Sequence, residues 1–218
     1  MRIAVNKAHY PVTVLGPGRR IGIWVQGCSI HCKGCISQDT WEPDPGREME
    51  IAQLVRWCKD TTGGVLDGVT ISGGEPFDQP AALGRLLDEF IAWRKADKLE
   101  FDLLCYSGYP WSRLRKRHAK ILDKLDAIIP EPFVDSLPQA NLWRGSANQS
   151  LVPLSPRGRA RYAAHLEAPA ASVGKRIQAA VEGKRVWYIG IPARGDMPAL
   201  EQLCAERGVN FSKVSWRQ

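Results

Sequence analysis

The chain has 218 residues, 44% of them hydrophobic, and a formal net charge of +7. This length and composition are typical of a globular protein with one domain and an appendage. The sequence has no run of about 18 apolar residues that could span a membrane. Its first residues also lack the apolar stretch of a secretory signal. We therefore expect a cytoplasmic protein without a membrane partner.

Strands and helices alternate along the first 130 residues. Apolar, β-branched runs predict strands at 20–26, 67–72 and 101–106, and a shorter one at 127–129. Apolar residues at helical spacing predict helices at 48–60, 80–95 and 111–125. This alternation is typical of βαβ units around a parallel sheet, so the predicted fold class is α/β.

The last third of the chain has a different composition. Residues 136–160 are rich in Pro, Gly, Ser and Asn, which predicts a loop, and the Ala-rich residues 163–183 predict part helix and part linker. A strand at 185–192, a helix at 198–206 and a final strand at 209–214 follow. We expect this β-α-β piece to extend the same sheet.

Basic residues are concentrated at 113–120 and at 157–161. The first stretch lies on a predicted helix, and either a solvated face or a docking face would explain it. A moderate positive charge favours acidic partners, but it does not by itself indicate nucleic acid, and none is expected.

Three of the six cysteines fall within eight residues. Cys28, Cys32 and Cys35 have the spacing C-x3-C-x2-C directly after the first predicted strand. Clustered cysteines in a cytoplasmic protein more often bind metal or do redox chemistry than form disulfides. Three thiolates in one short loop can hold three corners of a four-iron cube and leave one iron open to a substrate.

Two alternatives to an iron–sulfur cluster remain open at this point. Zinc usually takes four ligands, often as two paired knuckles, and no second C-x2-C or H-x3-H pair is present. His31 could be a ligand, but it lies inside the loop, where we expect its side chain to point outward. The other alternative is three unliganded thiols.

A second motif, Ser72-Gly73-Gly74-Glu75-Pro76, follows the next buried strand. Glycines let backbone amides and carbonyls approach a ligand closely because no Cβ stands in the way. A carbonyl or a carboxylate here could accept hydrogen bonds from an ammonium group. An ordinary turn between a strand and a helix would also explain the motif.

Together these motifs resemble the signature of radical S-adenosylmethionine (radical SAM) enzymes. Gly34, directly before the third cysteine, is similar to the glycine of the activases of anaerobic ribonucleotide reductase, whereas many other members have an aromatic residue there. Three further stretches resemble the same activases: LGPGRRIGIWVQGC at 15–28, YSGY at 106–109 and RGSANQ at 144–149.

The resemblance implies a fold, two cofactors and a set of site residues. The implied fold is a partial (β/α)6 TIM-like barrel, with a radical SAM core at 1–150 and an extension at 151–218. The implied cofactors are a 4Fe-4S cluster held by Cys28, Cys32 and Cys35, and S-adenosylmethionine. The residues implied to bind the latter are Gly34, Gly73, Gly74, Glu75, Ser107 and Asn148.

The resemblance covers residues 10–150 well and the rest loosely. The activases usually have an Asp-Gly-Pro-Phe-like stretch, where this chain has Pro130-Glu131-Pro132-Phe133. The role of that Asp could fall to Glu131 or Asp135, or be absent. The last 60 or so residues also exceed the shortest activases.

The function that the resemblance implies is that of a radical SAM oxidoreductase. It would cleave S-adenosylmethionine reductively to a 5′-deoxyadenosyl radical and generate a glycyl radical on a partner anaerobic ribonucleotide reductase. No residue beyond the cluster ligands is expected to be catalytic, since the cofactor carries the chemistry. A flavodoxin- or ferredoxin-like protein would donate the electron. One alternative is a radical SAM enzyme that modifies a small molecule or peptide, in which residues 151–218 would help to enclose the substrate. The other is a non-catalytic cluster protein that transfers electrons or binds a partner.

Overall fold

The computed structural model describes residues 1–172, 176–183 and 185–217. These residues form a seven-stranded sheet and a separate two-stranded one, with six α-helices. The strands of the large sheet are β1 (Arg2–Val12), β2 (Arg20–Val25), β3 (Glu48–Glu50), β4 (Gly68–Gly73), β5 (Asp102–Tyr106), β6 (Ala127–Ile129) and β7 (Val152–Pro153). The helices are α1 (Ile51–Thr62), α2 (Pro80–Ala96), α3 (Trp111–Arg117), α4 (Ala119–Leu122), α5 (Pro156–Tyr162) and α6 (Asp196–Ala205).

The large sheet has the strand order β3-β1-β2-β4-β5-β6-β7. Its central strands β2, β4, β5 and β6 run parallel, while β1, β3 and β7 pair antiparallel at the two sides. Helices α1, α2 and the pair α3–α4 connect successive parallel strands, as the alternating pattern predicts. The α/β class and the parallel strands are therefore confirmed.

The central strands are buried because helices cover one face and later segments cover the other. All six residues of β2 are buried, as expected for a strand covered on both faces. Helix α2 packs its predicted apolar face into the core, with Leu83, Leu86, Leu87 and Phe90 fully buried. Pro80 occupies the first turn of α2, where the missing N–H costs nothing.

A buried ion pair lies on the other face of the sheet. Both side chains of the pair Arg20 and Asp102 are fully buried. The guanidinium donates two hydrogen bonds to the carboxylate, of 2.7 and 2.9 Å, and Tyr162 donates a third, of 2.6 Å. Thr70 accepts a bond from Arg20 Nε at 2.6 Å. This network joins β2, β4 and β5 to α5.

Several predicted boundaries are wrong. Residues 48–50 form the edge strand β3, so α1 begins at Ile51, and the helix predicted at 111–125 is divided into α3 and α4 at His118. The backbone of His118 is not helical, and α3 ends where the His118 N–H donates to the carbonyl of Leu114.

The predictions for the later segments also differ from the structure. Residues 209–214 form no strand, and the loop predicted at 136–160 contains β7 and the start of α5. The first strand, β1, was not predicted.

The C-terminal segment does not extend the large sheet as a β-α-β unit. It forms an antiparallel hairpin of β8 (Ile177–Glu182) and β9 (Arg185–Gly190), which is followed by α6. The helix or linker predicted at 163–183 is therefore wrong for 177–182, and its residues 173–175 lie outside the described ranges. Pairing with β9 outweighs the helix propensity of the Ala residues in β8, since propensity is a weak prior that tertiary contacts override.

Among the described residues, no helix has the length and apolar character needed to cross a bilayer.

Candidate functional site

The segments that follow the parallel strands meet at one edge of the sheet. β2 runs into the cysteine loop, β4 into the GGEP turn, β5 into the YSGY turn and β6 into Pro130–Phe133. Neighbouring strands pair up to these ends, with Val25 beside Gly73 and Tyr106 beside Ile129. Ligands of parallel α/β sheets bind at the carboxyl ends of the strands. The predicted motifs are therefore neighbours at the position expected for a site.

The cysteine loop requires left-handed backbone at several positions. Gly27 and Gly34 have φ of 95° and 78°, and His31 has φ of 50°. A Cβ at Gly34 would lie 2.9 Å from a carboxylate oxygen of Asp135, so glycine is needed for both its conformation and its contact. His31 stacks on Trp41, with ring centroids 4.7 Å apart.

All three loop cysteines carry free, half-buried thiols. Burial raises the pKa of Cys28, Cys32 and Cys35 above the usual thiol value, while backbone N–H groups near each sulfur act in the opposite direction. One of these is the Ser37 amide, which donates to Cys35 Sγ at 3.3 Å. Amides directed at sulfur are the outer-shell contacts that stabilise thiolate ligands of iron–sulfur clusters.

This donor set fits an iron–sulfur cluster. Thiolates are soft ligands, which favour iron–sulfur clusters, copper(I) and zinc over hard cations. In the described part of the chain, no three His, Cys, Asp or Glu side chains converge closely enough to hold a single metal ion.

The GGEP turn packs directly against the cysteine loop. The amide of Glu75 donates to the carbonyl of Gly27 at 2.8 Å, and the amide of Gly74 donates to the carbonyl of Val25 at 2.9 Å. A Cβ at Gly74 would lie 2.1 Å from the Gly27 carbonyl oxygen, and one at Gly73 would lie 2.5 Å from the Val25 amide nitrogen. Both glycines are therefore required by the close approach of two backbones.

The Glu75 side chain points into the protein and joins two turns. Its carboxylate accepts hydrogen bonds from the amides of Phe77 (2.9 Å) and Gly108 (2.7 Å) and from the hydroxyl of Ser107 (2.8 Å). Burial raises its pKa from the usual 4.5 to about 7, although these three donors act to lower it. The structure thus brings Glu75 and Ser107 together, with their polar atoms directed at each other.

The RGSANQ segment brings the predicted residue Asn148 next to Pro132 and places two of its other residues at a cavity. The Asn148 amide donates to the carbonyl of Pro132 at 2.8 Å and accepts from Ser146 at 2.7 Å, so it joins its own turn to the segment that follows β6. Gln149 and Gly145 line the cavity described below, and Arg144 is buried against the carbonyls of His165 and Leu166.

A cavity of about 430 Å³ lies between these motifs and the C-terminal hairpin. The strand-end motifs contribute Gly34, Cys35, Ser72, Gly73 and Tyr106 to its wall. The facing wall is mainly apolar and comes from the C-terminal segment, with Ile177, Trp187, Tyr188, Ile189, Ile191 and Met197 among its residues. This size falls within the range of small-molecule sites.

The sequence analysis connects residues 151–218 with the site only in the alternative of an enzyme that acts on a small molecule or peptide. The apolar run 185–192 predicts a strand, but it gives no signal for where that strand packs. In the structure, Trp187 and Ile189 pack with Val12, Leu15 and Trp24, which places the hairpin over the sheet face that adjoins the cavity.

Residues 14–152 match the family model described as a 4Fe-4S single cluster domain. An anaerobic ribonucleoside-triphosphate reductase-activating protein from Vibrio cholerae is 33% identical over 147 residues, which are 65% of this chain and 92% of that protein. Proteins of the same description from Escherichia coli K12 and Enterobacteria phage T4 are 30% and 29% identical, over 65% and 63% of this chain and 93% and 86% of their own lengths.

Among solved structures, the crystal structure of QueE from Escherichia coli is 21% identical, with a TM-score of 0.41. The match covers 50% of this chain and 53% of that one.

Because the matched region contains the three-cysteine loop, the GGEP turn and the strands that position them, the chain belongs to the 4Fe-4S single cluster domain family, which it shares with the anaerobic ribonucleoside-triphosphate reductase-activating proteins.

Proposed function

We propose that this protein is a radical SAM enzyme that generates a glycyl radical on an anaerobic ribonucleotide reductase. The observation that carries the proposal is the position of the cysteine loop beside the GGEP turn, with Cys35 and Gly73 in the wall of one cavity. The relatives whose printed names describe reductase activation match this chain over 86 to 93% of their own length.

In this proposal Cys28, Cys32 and Cys35 hold a 4Fe-4S cluster, and Gly73 and Gly74 present backbone to S-adenosylmethionine. The bound cluster and cofactor would supply the one-electron reductive cleavage that yields a 5′-deoxyadenosyl radical. Glu75 and Ser107 act as positioning residues, because their polar atoms already bond each other and the turn amides. Gly34 allows the loop to pack closely against Asp135. We propose that Asn148 holds the backbone of Pro132, and with it the neighbouring Phe133, in position through its hydrogen bond.

The chain's own contribution to the chemistry is orientation and protection. The apolar hairpin wall would limit the access of water to one side of the cavity, and excluding water protects a reactive radical from side reactions. No side chain needs to act as a general acid or base. We propose further that β2, β4, β5 and β6 with their connecting helices belong to a partial (β/α)6 barrel, formed by residues 1–150. Residues 151–218 then belong to the same domain and close the site.

The decisive experiment is electron paramagnetic resonance of the partner reductase. The anaerobically reconstituted protein is mixed with the reductase, S-adenosylmethionine and dithionite, and a glycyl-radical doublet is expected. A Cys32→Ala variant serves as the control and should give no doublet. If the unsubstituted protein cleaves S-adenosylmethionine but gives no doublet with the reductase, the activase assignment is wrong.

The hairpin favours a second candidate, a radical SAM enzyme that acts on a small molecule or a short peptide. The hairpin residues Trp187, Tyr188 and Ile189 occupy the side of the cavity opposite the cysteine loop. A loop of a large protein substrate would have to share this space or displace the hairpin. Transfer of a hydrogen atom from a small substrate to the 5′-deoxyadenosyl radical, detected as substrate-derived hydrogen in 5′-deoxyadenosine in the absence of any reductase, would support this candidate.

A further inference from the structure

The proposed function needs one electron from outside the chain for each cleavage, and the inference below rests on that function. A docked electron carrier must reach the cysteine loop without blocking the cavity. A face suited to such docking would be charged, would lie beside the loop and would share no residue with the cavity.

Such a face is formed by α3 and the start of α4, and we call it the α3 basic surface. It consists of five exposed cationic side chains: Arg113, Arg115, Lys116, Arg117 and Lys120. Within the described part of the chain, none of the five forms an ion pair with an acidic residue. By contrast, the cationic residues Arg94, Arg157 and Arg161 at the other end of the sheet all have acidic partners. The α3 basic surface therefore has uncompensated positive charge.

A short chain of contacts connects this surface with the Cys28 side of the loop. The guanidinium of Arg113 lies 3.5 Å from the centre of the Tyr109 ring. The Tyr109 hydroxyl is 3.1 Å from the hydroxyl of Ser29, the residue after Cys28, and it also bonds Asp78. Asp78 in turn accepts from the Ser29 amide at 2.7 Å.

A second contact connects the surface with the GGEP turn. His118, at the junction of α3 and α4, packs edge-on against Phe77, with ring centroids 5.1 Å apart. The surface is thus held against both motifs of the site through packed side chains.

The cavity borders the other end of the cysteine loop, near Cys35. Its wall includes Gly34, Cys35 and Ile36, and its lining, drawn from the described residues, includes none of the five side chains of the α3 basic surface. The cysteine loop is therefore approached by the cavity on the Cys35 side and by basic side chains on the Cys28 side. The proposed docking face and the described lining of the cavity therefore use different residues.

We propose that the α3 basic surface docks an acidic, one-electron carrier protein that reduces the cluster. Uncompensated charge on one face raises the rate of encounter with an oppositely charged protein, by about 10- to 1000-fold at low ionic strength. Electron transfer needs a brief, oriented encounter, and complexes of redox proteins have small interfaces of this kind.

The test compares two double variants with the same change of net charge. Arg115→Glu with Lys116→Glu removes the proposed surface, and Arg56→Glu with Arg159→Glu changes two exposed residues, on α1 and α5, that also lack an ion pair in the described chain. The first readout is direct binding of an oxidised, acidic flavodoxin at low ionic strength, which needs no turnover. The second is 5′-deoxyadenosine formation with either reduced flavodoxin or dithionite as the reductant.

We expect the α3 variant to bind flavodoxin at least about tenfold more weakly than the control variant and to lose most of the salt dependence of binding. Its flavodoxin-driven rate should fall similarly, while its dithionite-driven rate stays that of the unsubstituted protein. Equal binding by the two variants would overturn the proposal. A lower glycyl-radical yield with dithionite, at unchanged flavodoxin binding, would assign the surface to the reductase and also overturn it.

Failure of the proposed function would have a different signature. In that case the unsubstituted protein, reduced with dithionite, would form no 5′-deoxyadenosine or would give no glycyl-radical doublet with the reductase, whatever the result of the flavodoxin binding measurement.

Discussion

The carboxylate of Glu75 and the hydroxyl of Ser107 lie 2.8 Å apart, and both side chains are buried. This bond joins the turn after β4 to the turn after β5, and the Gly108 amide adds a second bond at 2.7 Å. Because the Glu75 amide also donates to Gly27, one residue ties three strand-end segments together. The buried side chain of Glu75 thus fixes the relative positions of these turns, while Gly73 and Gly74 leave the backbone of the GGEP turn accessible to a ligand.

The stability of the protein should depend on the protonation of Glu75. Burial raises its pKa from 4.5 to about 7, so the folded state favours the protonated carboxyl. Below pH 4.5 both states are protonated and this contribution is fully present. As the pH rises to 7 the unfolded chain ionises first, and the free energy of unfolding should fall by up to about 3 kcal/mol.

Urea denaturation at pH 5 and pH 7 measures this contribution, with Glu75→Gln as the comparison. The variant has no titrating group at this position, so its free energy of unfolding should fall less over the same interval. Parallel profiles for the two proteins would contradict the expected titration.

Replacing any one of Cys28, Cys32 or Cys35 by Ala should abolish cluster binding, because two thiolates cannot hold the cube. Iron and acid-labile sulfide after anaerobic reconstitution measure the loss directly. Cleavage of S-adenosylmethionine should fall by more than about 100-fold, beyond the effect of outer-shell changes. Cys204→Ala is the matched control, since Cys204 is a partly exposed thiol on α6. Full iron content in any of the three loop variants would refute the ligand assignment.

Asp102→Asn should destabilise the protein by about 3–5 kcal/mol, because it leaves the guanidinium of Arg20 buried without its counter-charge. Although burial opposes ionisation, Arg20 and the hydrogen bonds from Arg20 and Tyr162 lower the pKa of Asp102. Glu100→Gln is the control, since Glu100 pairs with Arg157 at the surface and is 84% exposed. We expect the control to leave the free energy of unfolding nearly unchanged, because solvent screens an exposed ion pair. Denaturant unfolding of both variants measures the two free energies of unfolding. An equal decrease in the two variants would contradict a stabilising role of the buried Arg20–Asp102 pair.

Gln178→Ala should loosen the hairpin. The Gln178 side chain accepts from the Thr13 amide at 3.0 Å and donates to the Pro11 carbonyl at 2.6 Å, which fastens β8 to the end of β1. Its loss leaves a donor and an acceptor unpaired, at a cost of about 1–3 kcal/mol. Hydrogen exchange of β8 and β9 should accelerate by about tenfold or more, while the central strands keep their protection.

Val181→Ala is the control for this prediction, because Val181 lies on the same strand and is 75% exposed. Equal exchange in the two hairpin variants would show that Gln178 does not fasten the hairpin.

The sequence by itself determined the α/β class, the central strands, the cysteine loop and the GGEP turn. These features depend on local signals: apolar periodicity, glycines at left-handed φ, and donor spacing within eight residues. It could not determine that Glu75 bonds Ser107, because the two residues are 32 positions apart and meet only when β4 and β5 pair.

Only the tertiary structure decided the role of the C-terminal segment. The run 185–192 has the same apolar pattern whether it extends the large sheet or folds back as a hairpin, and long-range packing on Val12 and Trp24 selects the hairpin. The position of the α3 basic surface also depends on tertiary contacts. The sequence shows its charges, but these charges lie beside the Cys28 end of the loop because Tyr109 contacts Ser29, which is 80 residues away in the sequence.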